Sequence, residues 1–145
     1  MKHLVVLGMF LLSTALTGPV QAQSTVKTNL IDHSNDTLID EATAKAVLTE
    51  NIPAKVWKIH SPRNYTFVSQ VEGGLNAAKT CVVTARVMVL PLTAAMKAPM
   101  FRPLPKLTAT AYDAAANSST DQCKALAKDK LKEATLAVVS SIVKS

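Results

Sequence analysis

The sequence is short of aromatic residues, glycine and cysteine. Phenylalanine, tyrosine and tryptophan make up 4% of it, and there are four glycines and two cysteines. Gly8, Gly18, Gly73 and Gly74 form no glycine-rich phosphate loop, and no Gly-x-Ser-x-Gly or His-Glu-x-x-His run occurs. The two cysteines lack Cys-x-x-Cys spacing, which excludes the common dithiol redox motif. With three histidines in the chain, a zinc site of three or four ligands is not expected either. No nucleophile, base and orienting partner can be assembled, so no catalytic residue, cofactor or metal is expected and the chain reads as a non-enzyme.

Long apolar runs are also missing, with one exception. Residues 4–16 (LVVLGMFLLSTAL) follow Lys2 and His3 and are broken by Gly18-Pro19. The run is too short to span a bilayer comfortably. Val20-Gln21-Ala22 places small residues where a signal peptidase cuts, so residues 1–22 read as a signal peptide with cleavage before Gln23. No later segment is long and apolar enough to span a membrane. The expected location is periplasmic or secreted, and the remaining 123 residues suffice for one domain with a modest core.

The third scarcity is of acids. Residues 51–110 hold Lys55, Lys58, Arg63, Lys79, Arg86, Lys97, Arg102 and Lys106 against Glu72 alone. Such an excess either keeps a small protein solvated or attracts an anionic partner. Nucleic acid is not expected, since an exported chain rarely meets it.

What is present is strong alternation. In residues 79–92 (KTCVVTARVMVLPL), Cys81, Val83, Ala85, Val87 and Val89 share one side, while Thr80, Val82, Thr84, Arg86, Met88 and Leu90 share the other. Successive side chains of a strand point to opposite faces, so the first set must be covered and the second suits a partly wet face. Residues 65–72 and 106–113 read as further strands, and residues 54–60 (AKVWKIH) as a possible short one. Residues 23–34 are polar and irregular, either a flexible lead-in or a short edge strand. The single domain is expected over 35–145.

Two helices complete the reading. One is expected over 37–51, with cap residues in 33–36, an apolar face of Leu38, Ile39, Ala42, Ala46 and Thr49 widened by Val47 and Leu48, and Pro53 to stop it. The other opens at Ser118-Ser119-Thr120, with Ser119 and Gln122 at capping-box spacing. Its stripe is Cys123, Ala127, Leu131, Ala134, Val138 and Ile142, flanked by Leu126 and Ala137. Cys81 and Cys123 thus face one interior from independent periodicities, and in an exported chain they are expected to form a disulfide. The predicted fold class is α+β: a small antiparallel sheet of three to four strands, two helices on one face, and one disulfide.

Two surfaces are candidates for binding. The first is Lys55, Trp57, Lys58, Arg63 and Tyr65, where aromatics stand beside cations, as sugar or phosphate surfaces require. The second is the proline-rich loop 95–105, with Lys97, Met100, Phe101 and Arg102. The functional expectation is an exported binding module whose basic middle contacts an anionic envelope component or an exported protein. The alternative is a small inhibitor that inserts loop 95–105 into the cleft of an exported hydrolase.

Overall fold

A computed structural model describes residues 27–92 and 106–144. The expected signal peptide and the loop 95–105, with Lys97, Met100, Phe101 and Arg102, lie outside the described residues. In chain order the elements are β1 (Leu30–Asp32), α1 (Glu41–Asn51), α2 (Ala54–Ile59), β2 (Tyr65–Leu75), β3 (Cys81–Pro91), β4 (Leu107–Ala115) and α3 (Thr120–Lys144). They form an α+β domain with one four-stranded sheet in the order β1-β2-β3-β4. β2, β3 and β4 are antiparallel as expected, but β1 joins β2 in parallel, so the sheet is mixed. Residues 30–32 are therefore an edge strand, and the ordered domain begins ahead of residue 35.

β3 is the centre of the fold. Cys81, Val83, Ala85, Val87 and Val89 are all fully buried. Register carries their face across the sheet: Phe67, Val89 and Leu107 align, as do Val71, Ala85 and Ala111. Burying a valine completely contributes ~2 kcal/mol, so a core of many small pieces is adequate. The helices contribute Ala44, Val47, Leu48, Val56, Trp57, Leu131 and Val138 to that same cluster, which places all three on one face of the sheet. The opposite face is mixed, with Val68 and Leu90 buried, Arg86 exposed and Tyr112 79% exposed.

β2 runs three residues beyond its expected end, through Gly73 and Gly74 to Leu75. Gly73 has φ +119°, and a Cβ there would lie 2.0 Å from the Val82 carbonyl oxygen. Only glycine fits that approach of two strands.

The first helix starts four residues later than its pattern suggested. Asn35 caps a separate turn, accepting from the Thr37 backbone N–H at 3.0 Å. Asp40 is the helix cap, accepting from the Thr43 N–H at 2.8 Å. Of the expected face, Leu38, Ile39, Val47 and Leu48 are buried, whereas Ala42, Ala46 and Thr49 are exposed and Ala44 is buried in their stead.

Residues 54–59 are a helix and not the short strand their alternation suggested. Val56, Trp57 and His60 are the buried positions, at i, i+1 and i+4, which is one side of a helix. Pro53 caps it with ψ 155°, a position that needs no N–H from proline.

α3 follows its expectation. Ser119 donates its N–H to Gln122 Oε1 at 2.7 Å and accepts the Gln122 N–H on Oγ at 3.2 Å, a reciprocal capping box. The stripe from Cys123 to Ile142 is buried; Thr135 and Val139 widen it, while Ala137 faces outward. Cys81 and Cys123 are bonded, with Cα atoms 5.5 Å apart.

Candidate functional site

The basic stretch that looked continuous in sequence is dispersed by the fold. Lys79 sits at the β2–β3 turn, at one end of the sheet, with φ 56°. Arg86 is on the helix-free face, beside Gln70, Glu72 and Thr84. Lys55 lies with Glu50, Pro53, Leu136 and Val143, in a groove between the helices. The residues that come together are at the other end of the sheet, where β2 begins, β3 ends and β4 begins.

Backbone bonds build that end. Asn64 and Tyr65 both donate N–H to the Ser61 carbonyl, at 2.9 Å each, closing the turn that carries Arg63. Leu92 N–H reaches the Asn64 carbonyl at 2.8 Å, and Phe67 N–H reaches that of Asn29 at 3.1 Å. Asn29 Nδ2 donates to the Pro62 carbonyl at 3.2 Å. These contacts fix the turn against the start of the sheet and leave a cleft of about 650 Å³ lined by Lys27, Thr28, Asn29, Pro62, Arg63 and Leu92.

Tyr65 is the aromatic of this end. It is half-buried, its ring is edge-on to His60 at 4.8 Å, and Lys106 Nζ stands 5.4 Å from the ring centroid. A cation over an aromatic face is a favourable pair of ~0.5–1 kcal/mol where exposed. His60 is 5% exposed, and neither ring nitrogen has a hydrogen-bond partner among the described residues. Loss of water and then the nearby Lys106 charge hold its pKa below the ordinary histidine value.

Of the five candidate residues, Arg63 and Tyr65 stand at this end. Lys58 is exposed on the helix that leads into it, and Lys55 is directed elsewhere. Trp57, a large aromatic in an aromatic-poor chain that could serve either the core or a ligand, is 6% exposed and packs edge-on against Phe67 at 5.0 Å, so it serves the core. Trp57 and Phe67 are the buried aromatics among the described residues, and both serve the core. Sequence reasoning missed Lys27 and did not connect Lys106 to Tyr65. Lys106 is 41 positions from Tyr65 and meets it only through strand pairing, so composition carried no signal of it.

Among the described residues Lys27, Lys58, Arg63 and Lys106 make no ion pair; the carboxylates that do are Glu41, Asp113 and Glu133, with Lys45 and Lys130. A second cleft, of about 260 Å³, joins Asp36 and Asp40 to Lys124 and Lys128, and its charges balance. Asp40 there is held below the ordinary carboxylate pKa by the Thr43 N–H and hydroxyl, which occupy its oxygens. No group of three or more His, Cys, Asp or Glu that could hold a metal occurs among the described residues. No described helix is long and apolar enough to cross a membrane.

No protein-family model matches the sequence, and comparison with curated proteins finds no match either. Solved structures with a similar chain path include the PelC dodecamer from Paraburkholderia phytofirmans, 10% identical over 77% of this chain and 86% of that one, with TM-score 0.44. A single-site variant of the same protein is 9% identical over 78% and 90%, with TM-score 0.42. A candidate lipoprotein from Caulobacter crescentus CB15 is 15% identical over 78% and 83%, with TM-score 0.37. At these identities they are likenesses of chain path alone.

Proposed function

We propose that this chain is an exported, non-enzymatic binding module of the periplasm or cell envelope, which holds an anionic envelope component at the basic end of its sheet. The observation that carries the reading is that Lys27 and Arg63 line one cleft while Lys106 stands over Tyr65 at the same end of the sheet, none of the three paired to a carboxylate among the described residues. Uncompensated cations beside an aromatic ring and an open cleft attract carboxylate or phosphate groups, and the attraction weakens as salt rises. Export is supported by the leader-like opening of the sequence and by the Cys81–Cys123 bond, which persists in oxidising compartments.

The test is retention of the oxidised protein on an immobilised polyuronate and on phosphatidylglycerol vesicles, across a salt series. Binding is expected to one of these probes, to be lost by about 0.3 M salt, and to weaken about tenfold in Arg63→Glu and Lys106→Glu. Lys79→Glu, at the opposite end, is the control and should change affinity less than about twofold. Equal losses in Arg63→Glu and Lys79→Glu would show diffuse charge and end the assignment of a site. So would the absence of binding to either probe at low salt.

A further inference from the structure

The two edges of the sheet are treated differently. β1 is three residues long and carries Asp32, whose carboxylate accepts from Ser34 and Ser69 at 2.6 Å each. A short strand with an inward-tied charge is a blunted edge. β4 is nine residues long, and its sequence LTATAYDAA contains no proline, no lysine and one acid, Asp113. Alternate backbone N–H and C=O groups of an edge strand point away from its single neighbour. Among the described residues no hydrogen bond occupies those groups of β4 from Leu107 to Tyr112; the nearest outward bonds are Ala114 N–H to Asp113 Oδ1 and the Ser118 hydroxyl to the Ala115 carbonyl. Thr108, Thr110 and Tyr112 are exposed on the face beside that edge.

From these observations we infer that β4 is an association edge, and that its partner is β4 of a second copy of this chain, paired antiparallel about a two-fold axis near Ala111. The strand is complementary to itself in that register. Thr110 then opposes Tyr112, a β-branched side chain against an aromatic one, which is a favourable cross-strand pair. Asp113 opposes Ala109, so the one charge of the strand never meets its own kind. Leu107 opposes Ala115; both are only half-buried in the single chain. On the helix side, Lys130 reaches Asp113 at 3.5 Å and Glu133 at 2.7 Å, so α3 brings both signs of charge to the seam. Two-fold pairing is self-complementary by construction and closes after two copies. It yields one eight-stranded sheet with all helices on one face and sends the two basic ends to opposite extremities. This proposal stands independently of what the basic end binds.

The experiment is light scattering and sedimentation of the exported, oxidised protein over a concentration series. A reversible dimer is expected. The double variant Thr108→Lys/Thr110→Lys, which places cations on the exposed side of the edge, should raise its dissociation constant about tenfold or more. Circular dichroism of that variant should match the parent, because neither threonine is buried. As a second measure, a mixture of Thr110→Cys and Tyr112→Cys proteins, whose cysteines oppose each other across the axis, should give disulfide-linked dimers, while Thr84→Cys, one strand further in, should not. A protein that stays monomeric throughout, a dimer indifferent to the lysine pair, or capture of a different protein's strand by β4 in place of its own copy would each overturn the proposal.

Discussion

The two ends of the sheet are secured by different means. At the end where β2 turns into β3, the backbone is locked several times over. Cys81 is bonded to Cys123, Ser118 N–H donates to the Lys79 carbonyl at 2.8 Å, Asn76 Oδ1 accepts from Thr80 N–H at 2.9 Å, and Gly73 lies against Val82. At the end where β4 begins, the chain is held by a few turn hydrogen bonds, and among the described residues its lysines and Arg63 form no ion pair and the ring nitrogens of His60 have no hydrogen-bond partner. Positive charges brought close without counter-ions cost stability. The locked end offsets that cost.

The comparison breaks most severely at the disulfide. The bond closes a segment with sequence separation 42, and the loop-entropy relation gives ~4 kcal/mol for it. Cys81→Ala/Cys123→Ala should therefore lose a large share of the stability of a domain whose total is about 5–15 kcal/mol. Urea unfolding with and without reductant measures this, and an unchanged midpoint would mean that the staple is dispensable. Gly73→Ala comes next, at about 3 kcal/mol, because the new Cβ meets the Val82 carbonyl and φ +119° disfavours any side chain. Gly74→Ala sharpens the point: a Cβ there meets nothing within 4 Å, so it should cost clearly less in the same assay. Ser119→Ala removes one half of the capping box at the start of α3 and should cost ~1 kcal/mol, read from the same unfolding curves.

The locked end was legible in the sequence and the charged end was not. Strict alternation in β3 and the helical stripe of α3 each placed one cysteine inward, and both patterns are long enough for their period to be unambiguous. Residues 54–60 are shorter than two helical turns, so period 2 and period 3.6 could not be separated there, and the tertiary need to bury Val56, Trp57 and His60 together decided for helix. The start of α1 was misplaced because Asn35 and Asp40 are both good caps, and only the packing of Leu38 and Ile39 ahead of the helix assigns each its turn. At the charged end, Arg63 and Tyr65 were visible as neighbours in the chain. Lys27 and Lys106 arrive through strand register, which no composition or spacing encodes.

His60 offers the most delicate test of the charged end. Unfolded, its imidazole titrates near 6.5; folded, burial and then Lys106 hold its pKa lower. The unfolded chain therefore binds more protons than the folded one as pH falls through that window. Stability from this source is complete above about pH 6.5 and drains away as the pH drops toward the folded pKa. The groups that face the ring are Tyr65, edge-on at 4.8 Å, and Lys106, whose charge opposes a second positive charge nearby. His60→Phe keeps a ring against Tyr65, removes the titrating group and relieves two buried nitrogens without partners, so its stability should vary less with pH and should equal or exceed the parent's at about pH 5. Lys106→Met should leave the histidine in place but bring its folded pKa nearer 6.5, shrinking the acid-side loss without abolishing it. Thermal midpoints of the three proteins between about pH 5 and pH 8 decide the matter. Parallel curves would place the acid sensitivity elsewhere in the molecule, whereas the ordering parent, Lys106→Met, His60→Phe from steepest to flattest ties it to the end of the sheet that carries the unpaired charge.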